Sequence, residues 1–297
     1  MLQIIMGAIS LGLLWAVMTI GVYITYRILN IADLTVEGSI AMGAAIAAHA
    51  ISSGINPYVA TVLALLGGMA AGLVTGLLHT QLKIPALLSG ILTMIALYSV
   101  NLRIMGKANV SLLKMDTVYT AFENLGLSRN NAVMVLGLIC VIAVISILYW
   151  FFGTEIGCAI RATGNNPNMV RAQGINTDIT TILGLVISNG LVALSGGLIA
   201  QNQGFSDVQM GTGSIVIGLA SVIIGEVLFG KKNFYSRLVS LALGAITYRI
   251  IIALVLKMGM PANDLKLFTA ITVAVALSLP TIKNHIHPAK ISIKEGE

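Results

Sequence analysis

The chain has 297 residues, of which 57% are hydrophobic and only 9% charged, and its mean hydropathy is +0.94. Soluble domains carry about 25% charged residues, so this composition excludes an ordinary soluble fold and indicates a polytopic membrane protein. The net charge of +6 comes from basic residues scattered among apolar runs, without the aromatic-interleaved patch of a nucleic-acid surface, so no nucleic-acid partner is expected.

In chain order, the hydropathy pattern predicts nine membrane spans, at 3–28, 34–52, 57–81, 84–104, 132–153, 178–201, 212–230, 235–257 and 264–281. Each approaches or exceeds the roughly 17 residues needed to cross the hydrocarbon layer. The expected fold is all-α, with about nine transmembrane helices. The first span has no basic region before it and reads as a span rather than a cleaved signal peptide. The spans at 34–52 and 212–230 are short and glycine-interrupted, as broken or re-entrant helices are. In the third span Gly68, Gly72 and Gly76 recur every four residues and line one helix face, a spacing suited to close helix packing. His49 and His79 stand near helix ends without a second ligand at metal spacing, and no metal site is expected. The connection at 105–131 is long and polar, fitting either a docking surface or a solvated link. Cys140 and Cys158 fall in an apolar run and a polar stretch respectively, and both read as free thiols.

The stretch 157–176 is polar in an otherwise oily chain. Asn166 reads as a helix N-cap, Pro167 as the first helical residue and Gly174 as the stop, which leaves one short helix in the loop 154–177. Arg161 and Arg171 flank it. A helix so short needs a surface to dock on.

An internal echo joins the two halves of the chain. Gly38-Ser39-Ile40 through Gly43 and Ala45 matches Gly213-Ser214-Ile215 through Gly218 and Ala220. Each copy follows a polar lead-in, Asp33 to Glu37 and Asp207 to Thr212. The predicted topology runs the copies in opposite directions, as an inverted repeat requires, and paired broken segments of this kind mark a transporter's substrate path. Ionisable residues near apolar runs are few: Asp33, Glu37, Asp207, Glu226 and Arg249. Arg249 is the deepest, and an unpaired central arginine costs about 2.5–3.5 kcal/mol. It is expected either to pair with Glu37 or Glu226 or to face a ligand.

If 154–177 is cytoplasmic, ten basic residues fall on that side and six on the other. This agrees with the positive-inside rule and puts the N-terminus outside and the basic tail 282–297 in the cytoplasm. The segment Gly225 to Lys232 nearly matches a P-loop, but Lys232 replaces the magnesium-binding hydroxyl and no strand precedes it. No nucleophile elbow, zinc-protease motif or carboxylate pair appears within a span, so no catalytic group is expected. ATP, if used, must be hydrolysed by another polypeptide.

Arg161-Ala162-Thr163-Gly164-Asn165-Asn166-Pro167 with Gly174-Ile175, and the lead-in Asp33-Leu34-Thr35-Val36-Glu37-Gly38, resemble ABC-importer permeases of the branched-chain amino acid and ribose type. Ser206-Asp207-Val208, the run 215–226, Tyr248-Arg249-Ile250-Ile251 and Asp264-Leu265-Lys266-Leu267 are similar to a bacterial subgroup associated with tryptophan or aromatic amino acid uptake. The resemblance spans residues 30 to 280. It implies a single permease domain over 1–297 in the bacterial inner membrane. The implied partners are a second permease copy or paralogue, cytoplasmic ABC ATPase subunits that bind the ATP, and an extracytoplasmic solute-binding protein. No cofactor is bound by the permease itself. Arg161, Gly164, Asn166, Pro167, Met169, Arg171 and Gly174 would then couple to the ATPase, and Glu37, Asp207, Tyr248, Arg249 and Asn189 would border the substrate path. The expected function is ATP-driven import of a small solute, an aromatic amino acid such as tryptophan or tyrosine. Alternatives are a nucleoside or sugar cargo, an ion-coupled secondary transporter or channel, and an intramembrane enzyme, which the missing catalytic pair weakens.

Overall fold

The computed structural model describes residues 2–230, 233–258, 264, 267–271, 274 and 278. Helix α1 (Leu2–Tyr23) runs on into a π-helical turn, Ile24–Ile28, as one apolar rod. Helices α2 (Thr35–Ser52), α3 (Pro57–Thr80) and α4 (Ala86–Met105) follow. The Asn56 side chain accepts the Tyr58 N–H and Pro57 opens α3, whereas Gly106, at φ 68°, closes α4 in the left-handed region. A short strand β1 (Asn109–Ser111) and a one-turn helix α5 (Thr120–Glu123) precede α6 (Arg129–Phe151). Then come α7 (Glu155–Asn165), α8 (Pro167–Ala172), α9 (Thr177–Gln203), strand β2 (Phe205–Asp207), α10 (Ser214–Phe229) and α11 (Phe234–Lys257).

Six helices among the described residues are long and apolar enough to cross a membrane: α1 with its π turn, α3, α4, α6, α9 and α11. The 18-residue α2 is one unbroken helix. The expected span at 212–230 is shorter than the sequence suggests, because α10 has 16 residues, roughly 24 Å of helix. Residues 208–213 form a turn instead, and Gly213 adopts φ 81° at the cap. The expected span 264–281 and the tail 282–297 lie largely outside the described residues, as do Lys231 and Lys232.

Helix α9 is the axis of the fold, and α1, α2 and α3 pack along it. The predicted glycine face of α3 meets it: a methyl group added at Gly68 would press on Asn189 and Ala193, at Gly72 on Leu185 and Val186, and at Gly76 on Ile182. Glycine therefore lets the two backbones approach to a separation that a larger side chain would forbid. Helix α1 is tied to the same axis by hydroxyls: Ser188 Oγ donates to the Gly21 carbonyl at 2.7 Å and Ser195 Oγ to the Leu14 carbonyl at 2.8 Å. In hydrocarbon no water would satisfy these polar atoms, so each hydroxyl finds an internal acceptor.

The connection 105–131 is not a free link. Strands β1 and β2 pair antiparallel with Val110 opposite Ser206. Tyr119 Oη donates to the Leu198 carbonyl at 3.0 Å, and Gln201 accepts from the Val118 N–H at 3.0 Å. This end of the molecule is thereby clamped to the C-terminal end of α9. Helices α7 and α8 lie at the opposite end, where α9 begins.

Candidate functional site

Two helix starts converge inside the bundle. The Thr35 N–H donates to Asp33 Oδ1 at 2.9 Å, which begins α2. Asp33 is buried, and its second oxygen accepts from Asn189 Nδ2 at 2.8 Å, while Asn189 Oδ1 accepts from Ser39 Oγ at 2.7 Å. A chain of hydroxyls, Thr35 to Thr75 at 2.8 Å and Thr75 to Thr93 at 2.9 Å, ties the same turn to α3 and α4. Glu37, in the first turn of α2, accepts the Gly213 N–H at 2.9 Å and so ties α2 to the start of α10. From this shared point α10 runs toward Arg27, which meets Glu226 at 2.6 Å, and α2 runs toward the apolar cluster that includes Val110 of β1. The two echoed segments therefore start together and diverge, which agrees with the expected inverted repeat.

Cavities lie on either side of the Thr212–Gly213 turn. One, of about 380 Å³, is bounded by Thr212, Gly213, Val216, Tyr248, Arg249 and Ile252. The other, of about 500 Å³, is bounded by Glu37, Gly38, Met94, Tyr98, Asn101 and Thr212 among others. Both volumes fall in the small-molecule range of about 300–1,000 Å³. Arg249 makes neither of the ion pairs considered from the sequence, since Glu226 is taken by Arg27 and Glu37 by α10. Its guanidinium instead lies over the Trp15 ring, 4.1 Å from the centroid, and its Nε is buried with no hydrogen-bond partner among the described residues. Tyr248, 1% exposed, donates to Thr269 Oγ1 at 3.1 Å.

The structure thus brings Glu37, Tyr248 and Arg249 around one turn. It does not bring Asp207 there: that carboxylate sits in β2, where it accepts the Gln209 N–H at 2.8 Å, and it borders neither cavity. Asn189 also borders neither, and its work is to hold Asp33 and Ser39. Trp15 was not singled out from the sequence. An apolar first span gives no cue to it, and only the search for a partner to Arg249 would have found it.

At the opposite end, the predicted short helix is present as α8, with the Asn166 side chain accepting the Met169 N–H at 3.1 Å and Gly174 at φ 83°. A second helix, α7, precedes it, where the sequence led to one short helix in the loop, and it contains Gly157 and Gly164. They are sites of close approach, Gly157 to the backbone of Phe151 and Phe152 and Gly164 to that of Ile28 and Leu29. The seven residues expected to couple divide into two groups. Asn166, Pro167 and Met169 are exposed, Met169 at 47%. Arg161 turns to the Phe234 ring, 5.0 Å from its centroid, Gly164 packs on the end of the first span, and Arg171 Nε donates to Thr177 Oγ1 at 2.6 Å. Gly174 closes α8. Arg161 and Arg171, themselves exposed, contact α11 and α9, and Gly164 packs on the end of the first span.

The family model described as "Branched-chain amino acid transport system / permease component" matches residues 4–277. The chain is 43% identical over 274 residues to a tyrosine transport system permease protein of Clostridioides difficile (strain R20291), covering 92% of this chain and 90% of that one. It is 27% identical over 192 residues to an inner membrane ABC transporter permease protein of Escherichia coli (strain K12), covering 64% of this chain and 54% of that one. A solved structure of a metal-chelate type ABC transporter in an inward-facing conformation shares the fold, with a TM-score of 0.52 at 14% identity over 95% of this chain and 85% of that one. With its multi-pass helical bundle, the chain belongs to the branched-chain amino acid transport permease family and is the permease component of an ABC transport system.

Proposed function

We propose that this permease imports an aromatic amino acid, tyrosine or a close relative, with α8 held by a cytoplasmic ATPase. The observation that carries the cargo is the 43% identity to a tyrosine transport permease along nearly the whole of both chains. The apolar cavity beside Arg249 and Tyr248 supports it, because a zwitterion with a ring needs one charged anchor and an oily wall.

In this reading α8 is the handle. ATP closes a pair of ATPase subunits, and each moves one permease copy through Asn166, Pro167 and Met169. Arg161, Gly164 and Arg171 pass the displacement to α11, the first span and α9. The turn 208–213 then lies where substrate crosses, between the diverging starts of α2 and α10. A solute-binding protein delivers cargo at the end that carries β1 and β2. The α8 end faces the cytoplasm, the N-terminus lies outside and the C-terminus inside, and ATP binds to the partner subunits.

Reconstitution tests this. The permease, its ATPase and its binding protein are placed in proteoliposomes, and uptake of labelled tyrosine is measured against labelled leucine, ribose and a nucleoside. ATP-dependent uptake of tyrosine in preference to the others is expected. Preferential uptake of ribose or a nucleoside would replace the cargo, and tyrosine uptake without any ATPase would refute the coupling.

A further inference from the structure

We propose that Arg249 is the carboxylate-binding group of a substrate subsite within the permease, in the cavity between the start of α10 and α11, and that this subsite takes free α-amino acids. The proposal rests on the import reading above and adds a chemical criterion for cargo.

Four observations support it. First, Arg249 lies within an apolar span, where an ionised side chain needs a partner or a functional cavity. The carboxylates best placed to neutralise it are engaged elsewhere, Glu226 with Arg27 and Glu37 with the Gly213 N–H. Second, the guanidinium lies against an aromatic face. Its Cζ lies over the Trp15 ring, 4.1 Å from the centroid, and its Nε is buried with no hydrogen-bond partner among the described residues. A carboxylate fits a guanidinium edge through two parallel charge-assisted hydrogen bonds. Third, Arg249 is the one charged residue among the described residues bordering the cavity, and Val216, Ile217 and Ile252 supply apolar walls. Excluding water strengthens a single ionic contact. Fourth, an acidic residue lies across the Thr212–Gly213 turn. Gly213 borders this cavity, and Glu37, which accepts its N–H, borders the neighbouring one. An α-amino acid held by its carboxylate at Arg249 can turn its ammonium group toward that turn. A neutral sugar would leave the guanidinium unpaired.

Trp15 makes the proposal testable by spectroscopy. The chain has two tryptophans, Trp15 and Trp150, and Trp150 is 71% exposed on α6. In the full-length Trp150→Phe protein, purified with its ATPase, the emission change that is lost on further replacing Trp15 with phenylalanine reports Trp15. Phenylalanine and phenylalaninamide are titrated, since neither emits under tryptophan-selective excitation and the amide lacks the carboxylate. A saturable emission change with phenylalanine is expected, with about 10-fold or weaker apparent affinity for the amide. Arg249→Gln should abolish the response while the complex still assembles, and Arg249→Lys should restore part of it. Equal responses to acid and amide, or an undiminished response in Arg249→Gln, would overturn the proposal. So would failure of Arg249→Gln to assemble, which would assign the arginine to subunit packing. If the complex transports phenylalanine while Trp15 stays silent, the subsite is wrong and the import reading stands. If it transports no amino acid, both fall.

Discussion

Replacing Gly164 with alanine tests how α7 is fastened to the first span. A methyl group there would overlap the Ile28 carbonyl oxygen and lie 2.7 Å from the Ile28 carbonyl carbon and 2.9 Å from Leu29 Cα. These are backbone atoms, so no rotamer change relieves the clash. Carbon atoms pack at about 3.5–4.0 Å, so α7 and the π-helical turn must part by roughly 1 Å. Overpacking of this kind costs about 1–3 kcal/mol. Borne by the docked arrangement of the handle, that is about 5–150-fold in the equilibrium between coupled and uncoupled states. The assay is substrate taken up per ATP hydrolysed in proteoliposomes containing the whole complex. Gly164→Ala should lower that ratio at least about 5-fold without dissociating the complex. The control is Gly7→Ala, where an added methyl meets nothing within 4 Å, and it should behave as wild type. A Gly164→Ala complex with an unchanged ratio would refute the idea that this contact transmits motion.

Further substitutions probe the rest of the account. Asn189→Ala removes the partners of Asp33 Oδ2 and Ser39 Oγ in the bundle interior and should destabilise the protein by about 1–3 kcal/mol, read as a lower thermal midpoint by size-exclusion in detergent. Gly72→Leu forces α3 away from Leu185 and Val186 and should reduce the yield of folded protein, whereas leucine at Leu73, on the exposed side of α3, is the native and tolerated case. Glu37→Ala leaves the Gly213 N–H before α10 without its acceptor, at a cost of about 1–3 kcal/mol, and it should depress transport more than thermal stability if the start of α10 borders the substrate path. Glu226→Gln weakens the contact to Arg27, and the resulting loss of thermal stability should be small at high salt and larger at low salt, because Arg27 is partly exposed.

Much of this was legible in the sequence because local rules and tertiary packing agreed. Asn166, Pro167 and Gly174 bound α8 by capping chemistry alone, and the four-residue spacing of Gly68, Gly72 and Gly76 announced a close helix contact that α9 fills. Helix α7 was hidden because a glycine that breaks a helix and one that lets a helix approach a neighbour look alike in one dimension. The late start of α10 was hidden because hydropathy averages over the turn at 208–213 and cannot register a positive φ at Gly213. For Arg249 the residues alone allow either a pair with Glu37 or Glu226 or a ligand contact. Only the structure shows that each carboxylate has its own partner and that an aromatic face from the first span lies against the guanidinium. Asp207 looked like the outer end of the path by its charge and position, yet its carboxylate serves the local turn after β2.

Whether α8 is gripped by the ATPase is decided by site-specific cross-linking in the assembled complex, in a background in which Cys140 and Cys158 are replaced by serine. A cysteine at the exposed Met169 of α8 is compared with one at Leu113, which is 74% exposed near β1 at the other end of the molecule. Met169→Cys should cross-link to the ATPase subunit and Leu113→Cys should not. Cross-linking from Leu113→Cys alone, or from neither position in a complex that hydrolyses ATP and transports, would contradict this role for α8.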